Sequence, residues 1–224
     1  MVEPVATLLP FYTLCDVSAS MREGQRIEAL NEAIVATCDA AAMHPVVADR
    51  VRLGIIAFAG RADVVLPLSD LGLLEDLPHL QARDLTSYAA AFRLLRRTIE
   101  ADAAQLVADG YRVFRPAVFF LTDGHPTDAP AEWRDALTAV LDEDFPHRPN
   151  VIAFGFGDAD DTILAEVATV VAYRASDAIS ASEAIASFGT LLVESVVGSG
   201  AAGYLRLPEL PPQGMTAMAE EDLL

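Results

Sequence analysis

Asp16, Ser18 and Ser20 place one carboxylate and two hydroxyls at alternate positions early in the chain. They follow an apolar run, residues 8–15, which predicts a buried strand that ends at the aspartate. Hard oxygen donors of this kind suit Mg²⁺, with Mn²⁺ or Ca²⁺ as alternatives, better than a soft metal. The same residues are also consistent with a simple strand-end turn, so a metal site needs further ligands from elsewhere in the chain.

Two later segments carry suitable oxygen atoms. Asp123 follows the apolar run 116–121 within the sequence Thr-Asp-Gly, and Thr86 precedes a long predicted helix that ends near Gly110. The carboxyl ends of parallel strands meet at one edge of a sheet, which is where such folds bind ligands. The sequence therefore predicts one divalent cation site at that edge. The predicted metal ligands are Asp16, Ser18, Ser20, Thr86 and Asp123.

Buried strands and amphipathic helices alternate along residues 8–197. Residues 51–59 and 150–156 are again almost continuously apolar, which is typical of parallel strands covered on both faces. Residues 62–68 follow a tight connection and contain Pro67, which suits an antiparallel edge strand. The alternation predicts an α/β fold: a Rossmann-like, doubly wound, mostly parallel central sheet with one short antiparallel edge strand and helices on both faces.

Polar residues mark the starts of two later helices. Thr127 or Asp128 is the predicted N-cap of a helix that has Pro130 in its first turn. Ser180 and Glu183 have the spacing of a capping box, which predicts the start of the last helix.

The chain changes character at Gly198. Residues 1–197 carry the α/β pattern, whereas residues 198–224 are rich in glycine, proline and acidic residues and predict a flexible tail. One hypothesis is that Glu220, Glu221 or Asp222 supplies a carboxylate to the cation site of a neighbouring molecule.

The composition excludes several classes of function. The formal net charge is −18, and all 15 basic residues are arginine. Because a surface this acidic repels phosphate backbones, nucleic acid is not an expected partner. No apolar run reaches the roughly 18 uncharged residues that span a bilayer, and the amino terminus lacks the basic stretch of a signal peptide. We therefore expect no membrane association and a cytoplasmic location.

The order Asp-x-Ser-x-Ser, then Thr, then Asp, with its strand context, resembles the von Willebrand factor A (VWA) domain and its metal-ion-dependent adhesion site. The resemblance covers about residues 8–197. It implies a non-enzymatic protein–protein interaction module in which Mg²⁺ is held largely by neutral hydroxyls. A protein partner then completes the octahedron with an Asp or Glu carboxylate.

Residues 120–128, Phe-Leu-Thr-Asp-Gly-His-Pro-Thr-Asp, are similar to the tellurium-resistance-associated (TerY-like) A-domain proteins of bacteria. That similarity implies a cytoplasmic bacterial tellurium-resistance or stress-response system with kinase or phosphatase partners. The alternative is an adaptor of a AAA+ ATPase complex, and the sequence does not separate the two.

One loop departs from the family pattern. The family's threonine usually follows glycines, whereas residues 81–85 read Gln-Ala-Arg-Asp-Leu. A loop without glycine has fewer backbone conformations available. Thr86 is the predicted ligand, and Ser87 is the alternative.

A metal-dependent hydrolase or phosphatase is the rival from another class of function. Such chemistry needs a nucleophile or general base beside the ion. Ser18 stands where a haloacid-dehalogenase-type phosphatase carries an aspartate, and the chain contains no lysine. No glycine-rich phosphate loop follows the first strand either, so we assign no catalytic residue and expect no enzyme.

Overall fold

The computed structural model describes residues 6–74 and 76–218, and in them eight strands form one sheet. The strands are β1 (Thr7–Asp16), β2 (Val51–Phe58), β3 (Ala62–Asp70), β4 (Arg112–Val113), β5 (Ala117–Thr122), β6 (Asn150–Gly155), β7 (Val171–Ala175) and β8 (Met215–Ala217). Their order is β3-β2-β1-β5-β6-β7-β8, and β4 pairs with the start of β1. Among the strand pairs of these described residues, only β2–β3 and β7–β8 are antiparallel. The predicted fold class is confirmed, with β3 as the expected edge strand and β8 as a second antiparallel strand.

Helices cover both faces of the sheet. They are α1 (Arg26–Ala42), α2 (Pro45–Arg50), α3 (Tyr88–Ala108), α4 (Pro130–Leu141), α5 (Asp161–Val167) and α6 (Ala181–Ala202). The first core joins the sheet to α1, α2 and α6, and the second joins it to α3, α4 and α5.

Strand β1 is buried along almost its whole length because it lies between these two cores. Phe11 and Cys15 belong to the first core, whereas Tyr12 and Leu14 belong to the second. The alternation follows from the two-residue period of a strand. It also explains why the sequence here is apolar at most successive positions until Asp16, where the strand ends.

Side chains cap several of the helices, although not always those predicted. Ser180 and Glu183 form the predicted capping box of α6. For α4, Pro130 lies in the first turn as predicted, but the predicted N-cap was wrong, because the N-cap is Ala129. Asp128 instead accepts a hydrogen bond from the backbone N–H of Ala89, at 2.8 Å, in the first turn of α3. Its carboxylate thus serves a helix about forty residues earlier in the chain, a pairing that local sequence does not reveal.

The carboxyl-terminal segment differs from the prediction of a flexible tail beginning at Gly198. Helix α6 continues through Gly198 to Ala202, and β8 pairs with β7. The hypothesis about carboxylates at residues 220–222 lies outside the described residues.

Within residues 6–74 and 76–218, α6 is the one helix long and apolar enough to cross a membrane. Because 56% of its most apolar window is buried, it equally fits a helix packed in a domain core.

The register of the sheet brings the predicted site together. Cys15 pairs with Leu121 on β5 and with Ala57 on β2, so the three strands end at nearly the same level. The loops that follow β1 and β5 are therefore neighbours, although over 100 residues separate them in sequence.

Candidate metal centre

Asp16 lies at the end of β1 with 0% of its surface exposed, and both of its carboxylate oxygens accept hydrogen bonds. Oδ1 accepts from the backbone N–H of Ser18 at 2.8 Å, and Oδ2 accepts from Oγ1 of Thr122 at 2.7 Å. Burial raises the pKa of Asp16 to about 6, while hydrogen bonding from Ser18 and Thr122 opposes the shift and nearby Asp123 adds to it. The carboxylate is thus held in place at a cost in desolvation.

Ser18, Ser20 and Asp123 form a continuous chain of contacts between the ends of β1 and β5. The Oγ atoms of the two serines are 3.1 Å apart, and Ser20 Oγ donates to Oδ1 of Asp123 at 2.7 Å. Because the single hydroxyl proton of Ser20 is used in that bond, Ser18 is the donor in the serine–serine contact. Four of the five predicted ligands, counting Asp16, therefore lie in two adjacent strand-end loops.

The segment that carries Thr86 is attached to the same edge through its backbone. The N–H of Arg83 donates to the carbonyl oxygen of Val17 at 2.6 Å, and the N–H of Ser87 donates to that of Ala59 at 2.7 Å. Thr86 itself is buried, with 7% exposed. Within residues 6–74 and 76–218, no hydrogen bond joins its hydroxyl to the other four predicted ligands.

Leu85 adopts the left-handed conformation, with φ of +64°, immediately before Thr86. This is the backbone region that glycine enters most easily, so the loop reaches a glycine-type conformation without a glycine. Thr127 holds the backbone of Thr86 in place, because the N–H and the hydroxyl of Thr127 both donate to the carbonyl oxygen of Thr86, at 2.7 and 2.9 Å.

The alternative ligand, Ser87, has a different contact. Its Oγ accepts from the backbone N–H of Ala90 at 3.1 Å and so caps α3. This leaves the hydroxyl of Thr86 as the candidate from this loop, and its role as a ligand stays a prediction.

Three residues near this site were not predicted from the sequence. Thr122 donates to Asp16, and the hydroxyl of Tyr88 lies 2.8 Å from Thr122 Oγ1 and 2.9 Å from the carbonyl oxygen of Gly124. Burial raises the pKa of Tyr88, so the phenol stays protonated and serves as a donor. Arg26 pairs with Asp123, with 2.8 Å between Nη1 and Oδ2.

The sequence signals for these three residues are weak. Thr122 stands beside a predicted ligand, which was a usable hint. Tyr88 carries the apolar pattern of α3, and Arg26 only marks the start of α1.

The donor set fits a hard divalent cation. Each contributing side chain presents oxygen, and the two serine hydroxyls keep lone pairs that their hydrogen bonds leave unused. Asp16 and Asp123 supply negative charge at the same edge of the sheet. Neutral hydroxyls combined with carboxylates are typical of Mg²⁺, Mn²⁺ or Ca²⁺ sites.

The fold and the hydroxyl–carboxylate cluster together define an α/β domain with a candidate ligand site at the carboxyl edge of a parallel sheet. The chain belongs to the von Willebrand factor type A domain family, whose sequence profile matches residues 11–125. That range contains all five predicted ligands, from Asp16 to Asp123. A comparison with curated proteins finds no match.

Solved structures share this fold at low sequence identity. Proximal thread matrix protein 1 from the mussel byssus, solved with a zinc-occupied MIDAS motif, is 15% identical with a TM-score of 0.57, covering 86% of this chain and 48% of that one. The ArnB paralog VWA2 from Sulfolobus acidocaldarius is 18% identical with a TM-score of 0.53, covering 86% and 46%. The pilus adhesin SpaC from Lactobacillus rhamnosus GG is 13% identical with a TM-score of 0.66, covering 86% and 30%. This chain thus spans less than half the length of each, and the likeness establishes the fold alone.

Proposed function

We propose that this chain is a protein-binding domain that uses a divalent cation to capture a carboxylate of its partner. Membership of a family of protein-interaction domains supports the general role. The contact between Ser20 Oγ and Asp123 Oδ1 supports the proposed metal dependence, because it brings together hydroxyl and carboxylate oxygens from two strand-end loops. The site would serve for docking, without catalysis.

The roles of the side chains follow from their charge. Ser18, Ser20 and Thr86 would hold the cation through neutral oxygens, while Asp16 and Asp123 would orient those hydroxyls and balance part of the charge. A bound Mg²⁺ supplies an electrophilic centre for an Asp or Glu carboxylate of the partner. Because this chain would hold the ion mainly through neutral hydroxyls, much of the ion's charge would remain available to that carboxylate.

The identity of the ion rests on donor chemistry. Oxygen donors favour Mg²⁺ first, with Mn²⁺ or Ca²⁺ as alternatives. The zinc-occupied motif of the mussel protein supports a divalent ion in this type of fold, without fixing which one this chain takes.

The biological setting is the finer part of the proposal. The similarity of residues 120–128 to TerY-like proteins supports a cytoplasmic bacterial tellurium-resistance or stress-response system, with kinase or phosphatase partners. The alternative setting is an adaptor role in a AAA+ ATPase complex. Identification of the captured partner separates the two.

The first test compares Asp123→Asn with Asp158→Asn in a Mg²⁺ and Mn²⁺ titration by calorimetry. Asp158 is exposed on the adjacent loop, and its backbone N–H donates to the carbonyl oxygen of Asp123, so its replacement removes the same charge from the same edge. We expect Asp123→Asn to lose cation binding and Asp158→Asn to retain it. Equal binding by both variants would contradict the assigned site.

The second test measures partner capture with and without a chelator, using wild type and both variants. We expect capture to require the cation and to be lost in Asp123→Asn alone. Partner capture that is unchanged by both the chelator and the substitution would rule out the metal bridge.

A phosphate-ester assay tests the rival function, a hydrolase or phosphatase. Turnover by wild type that disappears in Asp16→Ala would show that the protein is an enzyme.

A further inference from the structure

Arg26 places a positive charge within the candidate metal centre. Its Nη1 lies 2.8 Å from Oδ2 of Asp123 and 3.2 Å from the carbonyl oxygen of Ser20. The Asp123 side chain is fully buried, while that of Arg26 is 20% exposed. The guanidinium thus reaches from the start of α1 to one of the two carboxylates that would balance the charge of a bound cation.

The rest of the guanidinium is poorly satisfied. Its Nε is buried and has no hydrogen-bond partner in the described part of the chain. Glu23 is the other nearby carboxylate, at 3.7 Å from Nη2, and its side chain is 76% exposed. Arginine offers five N–H donors, and few are used here. The contact with Asp123 is therefore the main interaction that holds Arg26 at the site.

We infer that Arg26 competes with a divalent cation for Asp123 and thereby sets the ion affinity of this site; this inference rests on the proposed function. Asp123 has one oxygen engaged by Ser20 and the other by Arg26. A cation that uses the Ser20–Asp123 pair must share the carboxylate with the guanidinium or displace it. Like charges at such short range repel strongly in a partly buried site. Arg26 therefore lowers the affinity for divalent cations relative to a neutral side chain.

The test compares Arg26→Gln with Arg22→Gln. Arg22 lies four residues before Arg26, but pairs with Asp84 at 3.1 Å, and its side chain is 57% exposed. Both substitutions remove one positive charge, and only the first frees Asp123. Calorimetry with Mg²⁺ and Mn²⁺ should show at least about tenfold tighter binding by Arg26→Gln, and a change of no more than about threefold for Arg22→Gln. Arg26→Lys, which keeps the charge, should stay closer to wild type than Arg26→Gln.

A second measurement uses the unaltered protein, in case Arg26→Gln fails to fold. The NMR signal of the Arg26 side-chain Nε–H should shift on Mg²⁺ addition, while that of Arg22 should stay in place. If wild type binds the ion but the Arg26 signal is unmoved, or if Arg26→Gln binds no more tightly than Arg22→Gln, the inference is wrong and the metal site stands. If neither wild type nor any variant binds Mg²⁺ or Mn²⁺, the proposed function fails, and the inference with it.

Discussion

Replacing Asp16 with asparagine should change the pH dependence of stability in the metal-free protein. Asp16 is fully buried, and its pKa is raised from an ordinary 3.8 to about 6. A shift of about two units corresponds to about 3 kcal/mol of penalty on the charged carboxylate at neutral pH. Asparagine has no such penalty, although its amide group cannot accept both hydrogen bonds that Asp16 accepts.

The sign follows from proton binding. Between about pH 4 and pH 6 the folded protein holds a proton on Asp16 that the unfolded chain has released. The contribution of Asp16 to stability is therefore complete below about pH 4 and is lost as the pH rises through 6. The hydrogen-bond mismatch of asparagine does not titrate. From pH 4 to pH 8, Asp16→Asn should consequently gain about 2–3 kcal/mol relative to wild type.

Urea unfolding in the presence of a chelator, followed by the fluorescence of the buried Trp133, measures this difference at each pH. Asp158→Asn serves as the control for the loss of one negative charge from this edge of the sheet. A difference between Asp16→Asn and wild type that stays flat from pH 4 to pH 8, or that falls, would refute the assignment of Asp16 as a desolvated carboxylate. The same variant should lose the stabilisation that Mg²⁺ gives to wild type.

Four further predictions are measured by urea unfolding in chelator. Gly189→Ala in α6 should lower the free energy of unfolding by about 1–3 kcal/mol, because its Cβ would lie 2.7 Å from Cβ of Ala33. Gly198→Ala, in the same helix but 3.8 Å from its nearest neighbour, should raise it by about 0.5–1 kcal/mol. Leu85→Gly should raise the free energy of unfolding by up to about 1 kcal/mol, because glycine adopts the positive φ without strain. A lower free energy of unfolding would indicate that the leucine side chain stabilises the fold by more than its backbone strain costs. Ser180→Ala should lower it by about 1 kcal/mol through loss of the α6 cap.

The order of the longer strands and helices was predictable because both periodicities are local properties of the sequence, whereas the short elements α2, β4 and β8 were not predicted. The meeting of Asp16 and Ser20 with Asp123 was predictable too, because parallel strands end at a common edge. The contact of Arg26 with Asp123 was not, since it depends on the direction of one long side chain across 97 residues. The left-handed backbone conformation of Leu85 could not be predicted either, because leucine rarely adopts a positive φ.

Strand β8 also affects how this sheet meets other chains. By pairing antiparallel with β7, it replaces an open parallel edge with a strand of only three residues. At the opposite end, β3 carries Pro67 and its pairing with β2 is interrupted by shifts in register. Short or irregular edges discourage the addition of a foreign strand, and with it edge-to-edge aggregation. Recognition by strand addition is thus disfavoured at both ends of the sheet.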